Sequence, residues 1–164
     1  MRSRFLAIER HTTAFALWCA VAMLVVAVGA GFYQVISRFV IEQPAEWSEV
    51  IVRFSLIWMV FLAVPTAFRY GAMISIDLFY RSVGPQGRRV LDTLILISGL
   101  VLMTAILWWG QDYSWRTRFQ TIPGIESVTM LWAYASMPVG AAFSVLAIIA
   151  QWLDPHREEL ETAL

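Results

Sequence analysis

Four apolar runs alternate with polar segments along the chain. They cover residues 13–37, 50–68, 90–110 and 128–152. About 20 apolar residues in an α-helix cross a hydrocarbon core about 30 Å thick, because the helix rises about 1.5 Å per residue. The pattern therefore predicts an all-α integral membrane protein. We expect residues 1–164 to form a single domain of four transmembrane helices in a lipid bilayer.

The polar segments predict the helix ends and short amphipathic segments at the membrane surface. Pro44 should end the first helix, and Ser48 or Glu46 can cap the second. Pro138 is expected to kink the fourth helix. Interfacial segments are predicted over three stretches that mix apolar and charged residues, namely 1–12, 75–83 and 111–127. For residues 1–12 we favour the simpler interpretation, a positively charged flank that orients the first helix.

Composition supports the membrane class and excludes others. Apolar residues make up 59% of the chain, against about 45–50% in soluble domains. The net charge is zero, so bulk electrostatics do not indicate a nucleic-acid partner. The single cysteine, Cys19, allows neither an internal disulfide nor a multi-cysteine metal site.

All 12 basic residues are arginines, and their distribution predicts the orientation. Eight lie in the N-terminal flank, the connection between the second and third runs, and the tail. Three lie in the other two connections. The positive-inside rule then places both termini in the cytoplasm.

Charged residues bracket the second run and form the first group of candidate partner contacts. Glu46, Glu49 and Arg53 follow the spacing i, i+3, i+7, so they share one helix face. Glu49 and Arg53 can pair with each other or bind a partner protein, and the spacing leaves both open. The other candidates in this stretch are Trp47, Arg69 and Asp77.

The fourth run carries the second group of candidates. Ser136, Gly140 and Ser144 recur every four residues and predict a groove that admits another helix closely. Pro138 lies beside this groove. We expect these residues to contact helices of this subunit or of a partner.

The sequence lacks the residues that several membrane activities require. No ionisable residue lies in the middle of a run, which argues against a lone proton-coupled transporter or small exporter. His11 and His156 lie outside the runs, which argues against the haem-bearing anchor of a redox enzyme. We find no nucleophile with a nearby histidine, no phosphate loop and no metal-ligand cluster. We therefore predict a non-enzymatic subunit of a larger complex, with no cofactor or metal.

The order of residues in the second and fourth runs closely resembles the small membrane subunit of tripartite ATP-independent periplasmic (TRAP) transporters, the DctQ-like family. Length, number of spans and orientation also fit. In the second run the likeness rests on Glu46-Trp47-Ser48-Glu49, Arg53, Trp58, Phe61-Leu62-Ala63, Arg69 and Ile74-Ser75-Ile76-Asp77; in the fourth it rests on Leu131-Trp132-Ala133-Tyr134 and Met137-Pro138-Val139-Gly140. The chain departs from the family at Ala63, where glycine is frequent, and at Met73, where histidine is frequent.

The resemblance implies a place in the bacterial inner membrane and two protein partners. One is a large multi-span subunit that moves the solute with an ion gradient, usually Na⁺. The other is a periplasmic binding protein that captures a carboxylate-bearing solute. The small subunit would then be a scaffold and docking surface. The small subunit of a tripartite tricarboxylate transporter and the membrane anchor of another inner-membrane complex are the alternatives.

Overall fold

The computed structural model describes residues 2–43, 45–70, 85–122 and 125–154. These residues form long helices with one small hairpin. In chain order the elements are α1 (Arg2–Phe39), α2 (Glu46–Arg69), α3 (Pro85–Arg116), a 3₁₀ turn (Thr117–Phe119), β1 (Thr121–Ile122), β2 (Ile125–Thr129), α4 (Leu131–Tyr134) and α5 (Ser136–Leu153).

Within the described residues, four helical segments are long and apolar enough to cross a membrane: Arg4–Phe39, Glu46–Arg69, Arg89–Phe119 and Leu131–Leu153. Each contains most or all of one predicted apolar run, which confirms the all-α membrane class. From Arg2 onward the basic segment 1–12 forms the first turns of α1 and not a separate interfacial segment, whereas its role as a basic flank that orients the helix stays a prediction. An uninterrupted helix satisfies the backbone hydrogen bonds that a separate segment would leave open.

The predicted cap of α2 is wrong. The N-cap residue is Ala45, which provides no side-chain hydrogen bond. The hydroxyl of Ser48 donates to the carbonyl oxygen of Ala45 at 2.6 Å instead. Ser48 is therefore satisfied within the first turn, and its backbone N–H donates to the same carbonyl at 3.1 Å.

The long helices pack side by side in the order α1, α2, α5, α3. Ala16 and Ala20 of α1 lie against Leu62 of α2 in one buried cluster. Met103 of α3 lies against Ile148 of α5 in a second. The two clusters are small, because α1 and α3 are each covered mainly on one side.

The outer sides of α1 and α3 expose large apolar side chains. The Trp18 side chain is 74% exposed, and Val25 of α1 and Val101 of α3 are each 66% exposed. In water such surface would favour association, so the four helices require a lipid or protein environment on these faces.

The connection between α3 and α4 differs from the predicted interfacial segment 111–127. Helix α3 continues to Arg116, and the chain then makes the 3₁₀ turn and a two-stranded antiparallel hairpin. The predicted segment 75–83 lies outside the described residues. The fourth span is interrupted at Ala135, between α4 and α5. Pro138 follows within the first turn of α5, where a missing backbone N–H costs little.

Candidate functional site

Arg69, at the end of α2, joins three helices through a buried network of charged and polar groups. Its Nε donates to Glu9 Oε2 of α1 at 3.1 Å. Its Nη1 donates to Gln151 Oε1 at 3.0 Å and to the Asp154 carbonyl oxygen at 2.8 Å. Its Nη2 lies 3.3 Å from Asp154 Oδ2. The guanidinium therefore connects α1, α2 and the end of α5.

Glu9 is the most deeply buried charged group of this network, with its side chain 1% exposed against 11% for Arg69. Its second carboxylate oxygen, Oε1, accepts a hydrogen bond from the Thr13 hydroxyl at 2.8 Å. A buried charge is tolerated when it is paired and its remaining lone pairs are used. Both carboxylate oxygens of Glu9 meet that condition.

Sequence reasoning selected Arg69 but not its partners Glu9, Gln151 and Asp154. Because Glu9 lies among arginines, the sequence pattern predicts only a basic flank at this position. Two signals were available: Glu9 is the first acidic residue, with none after it until Glu42, and Thr13 follows it by one helical turn. Neither signal names Arg69, which is 60 residues further along the chain.

The groove predicted on the fourth span is filled by α2 of the same chain. Gly140 is buried, and a Cβ added there would lie 2.4 Å from the carbonyl oxygen of Phe61 and 2.7 Å from its Cβ. The Ser136 hydroxyl donates to the Ala133 carbonyl at 2.7 Å, and the Ser144 hydroxyl donates to the Gly140 carbonyl at 2.8 Å. Both hydroxyls are therefore satisfied within α4–α5, and these small side chains allow α2 to approach closely.

Pro65 explains why the closest approach occurs at Phe61. In a regular helix the carbonyl of Phe61 would accept from the N–H of residue 65, and proline has none. The freed carbonyl oxygen lies against the position that a Cβ at Gly140 would occupy. Pro138 lies at the contact of α5 with α3, where its Cδ would be 3.5 Å from a Cβ added at Gly110.

The candidates at the start of α2 lie on the surface. Glu49 and Arg53 form an ion pair at spacing i, i+4 with both side chains exposed. The Trp47 ring packs against Tyr33 of α1, with 5.3 Å between ring centroids. Glu46 is exposed, and Asp77 lies outside the described residues. As partner contacts these residues stay predictions, as do Arg69 and the groove residues.

The described residues hold no group of three or more His, Cys, Asp or Glu side chains that could bind a metal ion. The Arg69 network joins side chains and a backbone carbonyl of this chain and lies at a helix end. The geometry therefore favours tight packing inside the subunit and open apolar faces outside it.

Comparison with known proteins identifies the family. Residues 27–158 match the family of tripartite ATP-independent periplasmic transporters, DctQ component. The chain is also similar to the sialic acid TRAP transporter small permease protein SiaQ of Vibrio cholerae, at 25% identity over 113 residues. That match covers 69% of this chain and 65% of the relative, so the chain spans about two thirds of the relative's length.

The family match covers most of the chain, including the second and fourth spans on which the resemblance rested. Because the family consists of transporter subunits, the match confirms that the chain is not an enzyme. The protein belongs to the DctQ family and is a small membrane subunit of the TRAP transporter type.

Proposed function

We propose that this chain scaffolds a large multi-span transport subunit in the bacterial inner membrane and helps dock a periplasmic solute-binding protein. The complex would use an ion gradient, usually of Na⁺, to take up a carboxylate-bearing solute. Both termini would lie in the cytoplasm, in line with the arginine distribution. The family match supports this reading over the tripartite tricarboxylate alternative.

The open side-by-side packing of the helices is the observation that carries the scaffold role. Helices α1 and α3 are covered mainly on one side, and their other sides expose large apolar residues. In a closed four-helix bundle each helix would be covered by two neighbours, whereas here α1 and α3 each keep a long face for lipid or for another membrane protein. An open row offers long helix faces to a larger membrane protein.

The distribution of charge supports leaving the solute to another subunit. No Asp, Glu, Lys, Arg or His occurs in residues 12–37, 54–68, 93–111 or 131–153. Transporters that bind ions or charged solutes at the bilayer midplane usually place such residues there. A carboxylate-bearing solute would find no cationic partner along these stretches.

The nature of the solute rests on likeness alone. The relative from Vibrio cholerae is named for sialic acid, itself a carboxylate-bearing solute. At 25% identity we extend only the class, a carboxylate, to the present chain.

Affinity purification in mild detergent tests the scaffold role. We expect a large multi-span protein to co-elute with the tagged chain. The two subunits together, with the binding protein and an ion gradient, should move solute in liposomes. The small subunit alone should move none. Solute-dependent flux through the purified small subunit would contradict the proposal, and so would purification without any membrane partner from cells that show uptake.

A further inference from the structure

The 3₁₀ turn that follows α3 carries an arginine, Arg118, held against two aromatic rings. The central carbon of the Arg118 guanidinium lies 4.2 Å from the ring centroid of Trp115 and 4.5 Å from that of Phe119. The two aromatic residues are 64% and 79% exposed. Stacking on aromatic faces holds a guanidinium in place while its N–H groups, which lie in the plane, stay available to an acceptor.

Arg118 has no acidic partner among the described residues, which distinguishes it from its neighbour on the same helix end. Arg116 pairs with Asp112, with 2.8 Å between Nη2 and Oδ2. A guanidinium carries five N–H donors. Those of Arg118 make no hydrogen bond or ion pair within the described parts of the chain. Among the described residues, Arg118 is therefore a cation that is held in place without an anion.

The length of α3 places this cation at a defined depth. From Arg89 to Arg116 the helix rises about 40 Å at 1.5 Å per residue, and the 3₁₀ turn adds about 4 Å up to Arg118. A bilayer with its headgroup layers measures about 40–45 Å. When Arg89 lies in one headgroup layer, Arg118 lies in the other.

Exposed aromatic residues support the same depth. Trp108 and Trp109 are both exposed and lie about 14 Å below Arg118, inside the hydrocarbon, whereas the exposed Trp115 lies about one turn below Arg118, near the headgroups. Tryptophan is enriched at the boundary between the hydrocarbon and the headgroups, because its ring is apolar and its N–H is polar. Trp115 and Phe119 continue the aromatic surface up to the level of the phosphates.

We propose that Arg118, held by Trp115 and Phe119, binds the phosphodiester group of an anionic phospholipid in the leaflet at the C-terminal end of α3. The planar guanidinium matches two phosphate oxygens, and the aromatic rings contact the glycerol and upper acyl region. The depth of the site and its unpaired charge favour a lipid over a soluble protein as the occupant. The proposal does not depend on which subunits the chain assembles with.

Native mass spectrometry of the purified full chain with phosphatidylglycerol tests the site. Arg118→Gln removes the charge and keeps a polar side chain of similar length. We expect it to retain phosphatidylglycerol roughly tenfold less well than the unchanged protein, from the loss of charge-assisted hydrogen bonds. Trp115→Ala should weaken retention as well, because the guanidinium loses its support. Helix content by circular dichroism should stay the same, since both side chains lie on the surface.

Arg116→Gln is the matched control. It removes one positive charge from the same helix end, but that charge is paired with Asp112. We expect retention to change by less than about twofold, in line with the small value of exposed pairs. Equal losses in both variants would reduce the effect to bulk charge and overturn the site. Unchanged lipid retention in Arg118→Gln would also overturn it, whether or not the variant impairs binding of a soluble protein partner.

Discussion

Replacing Gly140 by alanine tests the closest contact between helices in this subunit. The added Cβ would lie 2.4 Å from the Phe61 carbonyl oxygen, 2.7 Å from its Cβ and 2.8 Å from its carbonyl carbon. Non-bonded contacts of a Cβ with another heavy atom below 3.0 Å are essentially never seen in proteins. Two of these three atoms are backbone, so a change of rotamer at Phe61 does not remove the clash, and α2 must move away from α5.

The expected cost follows from what that movement breaks. Overpacking a well-packed site destabilises by about 1–3 kcal/mol. We expect the upper end of that range, about 3 kcal/mol, because the obstacle is a helix backbone, which cannot move without shifting α2. The intrinsic helix propensity of alanine offsets up to about 1 kcal/mol.

A series of alanine substitutions separates the clash from the propensity. A Cβ at Gly29 of α1 meets nothing within 4 Å, and a Cβ at Gly110 of α3 meets the Met137 Cβ at 3.2 Å. Gly29→Ala should therefore be neutral or stabilising, Gly110→Ala mildly destabilising, and Gly140→Ala most destabilising. Denaturation by sodium dodecyl sulfate, followed by circular dichroism in mixed micelles, gives this ranking. A Gly140→Ala protein as stable as Gly29→Ala would refute the close packing of α2 on α5.

Three further predictions concern two ion pairs and the orientation of the chain. Arg69→Ala leaves Glu9 buried without its cation and should destabilise the subunit by about 3–5 kcal/mol. The double variant Arg69→Met with Glu9→Gln should lose clearly less stability in the same denaturation assay. Equal losses of stability would mean that Arg69 acts without Glu9. The exposed Glu49–Arg53 pair should show a coupling of about 0.3–0.5 kcal/mol in a double-mutant cycle on the stability of the isolated subunit. A second cycle measures how much large subunit co-purifies, and strictly additive losses there would assign the two side chains to separate partner groups. For orientation, single cysteines in place of Ser82 and Ser127 in a Cys19→Ser background should label with an impermeant thiol reagent only at position 127 from outside, and the reverse pattern would invert the topology.

The sequence by itself determined the membrane class and the number of spans. These are local properties, because the length of an apolar run sets whether it crosses a bilayer. The helix bounds followed only in part, since α1 and α3 extend into the polar segments beyond their apolar runs. The sequence also determined the family, because the motifs around Glu46 and Gly140 lie at fixed positions along the chain. The exposed pair Glu49–Arg53 was readable for the same reason, since i, i+4 residues meet on any helix.

Only the tertiary structure decided which side chains meet across helices. The sequence singled out Arg69, but its bonds to Glu9 and Asp154 join residues 60 and 85 positions away. It indicated the small-residue groove at Gly140, but the occupant, Phe61, depends on the carbonyl that Pro65 leaves without a donor. Helix periodicity defines the faces of each helix, whereas the choice of neighbouring face depends on packing between segments far apart in the chain.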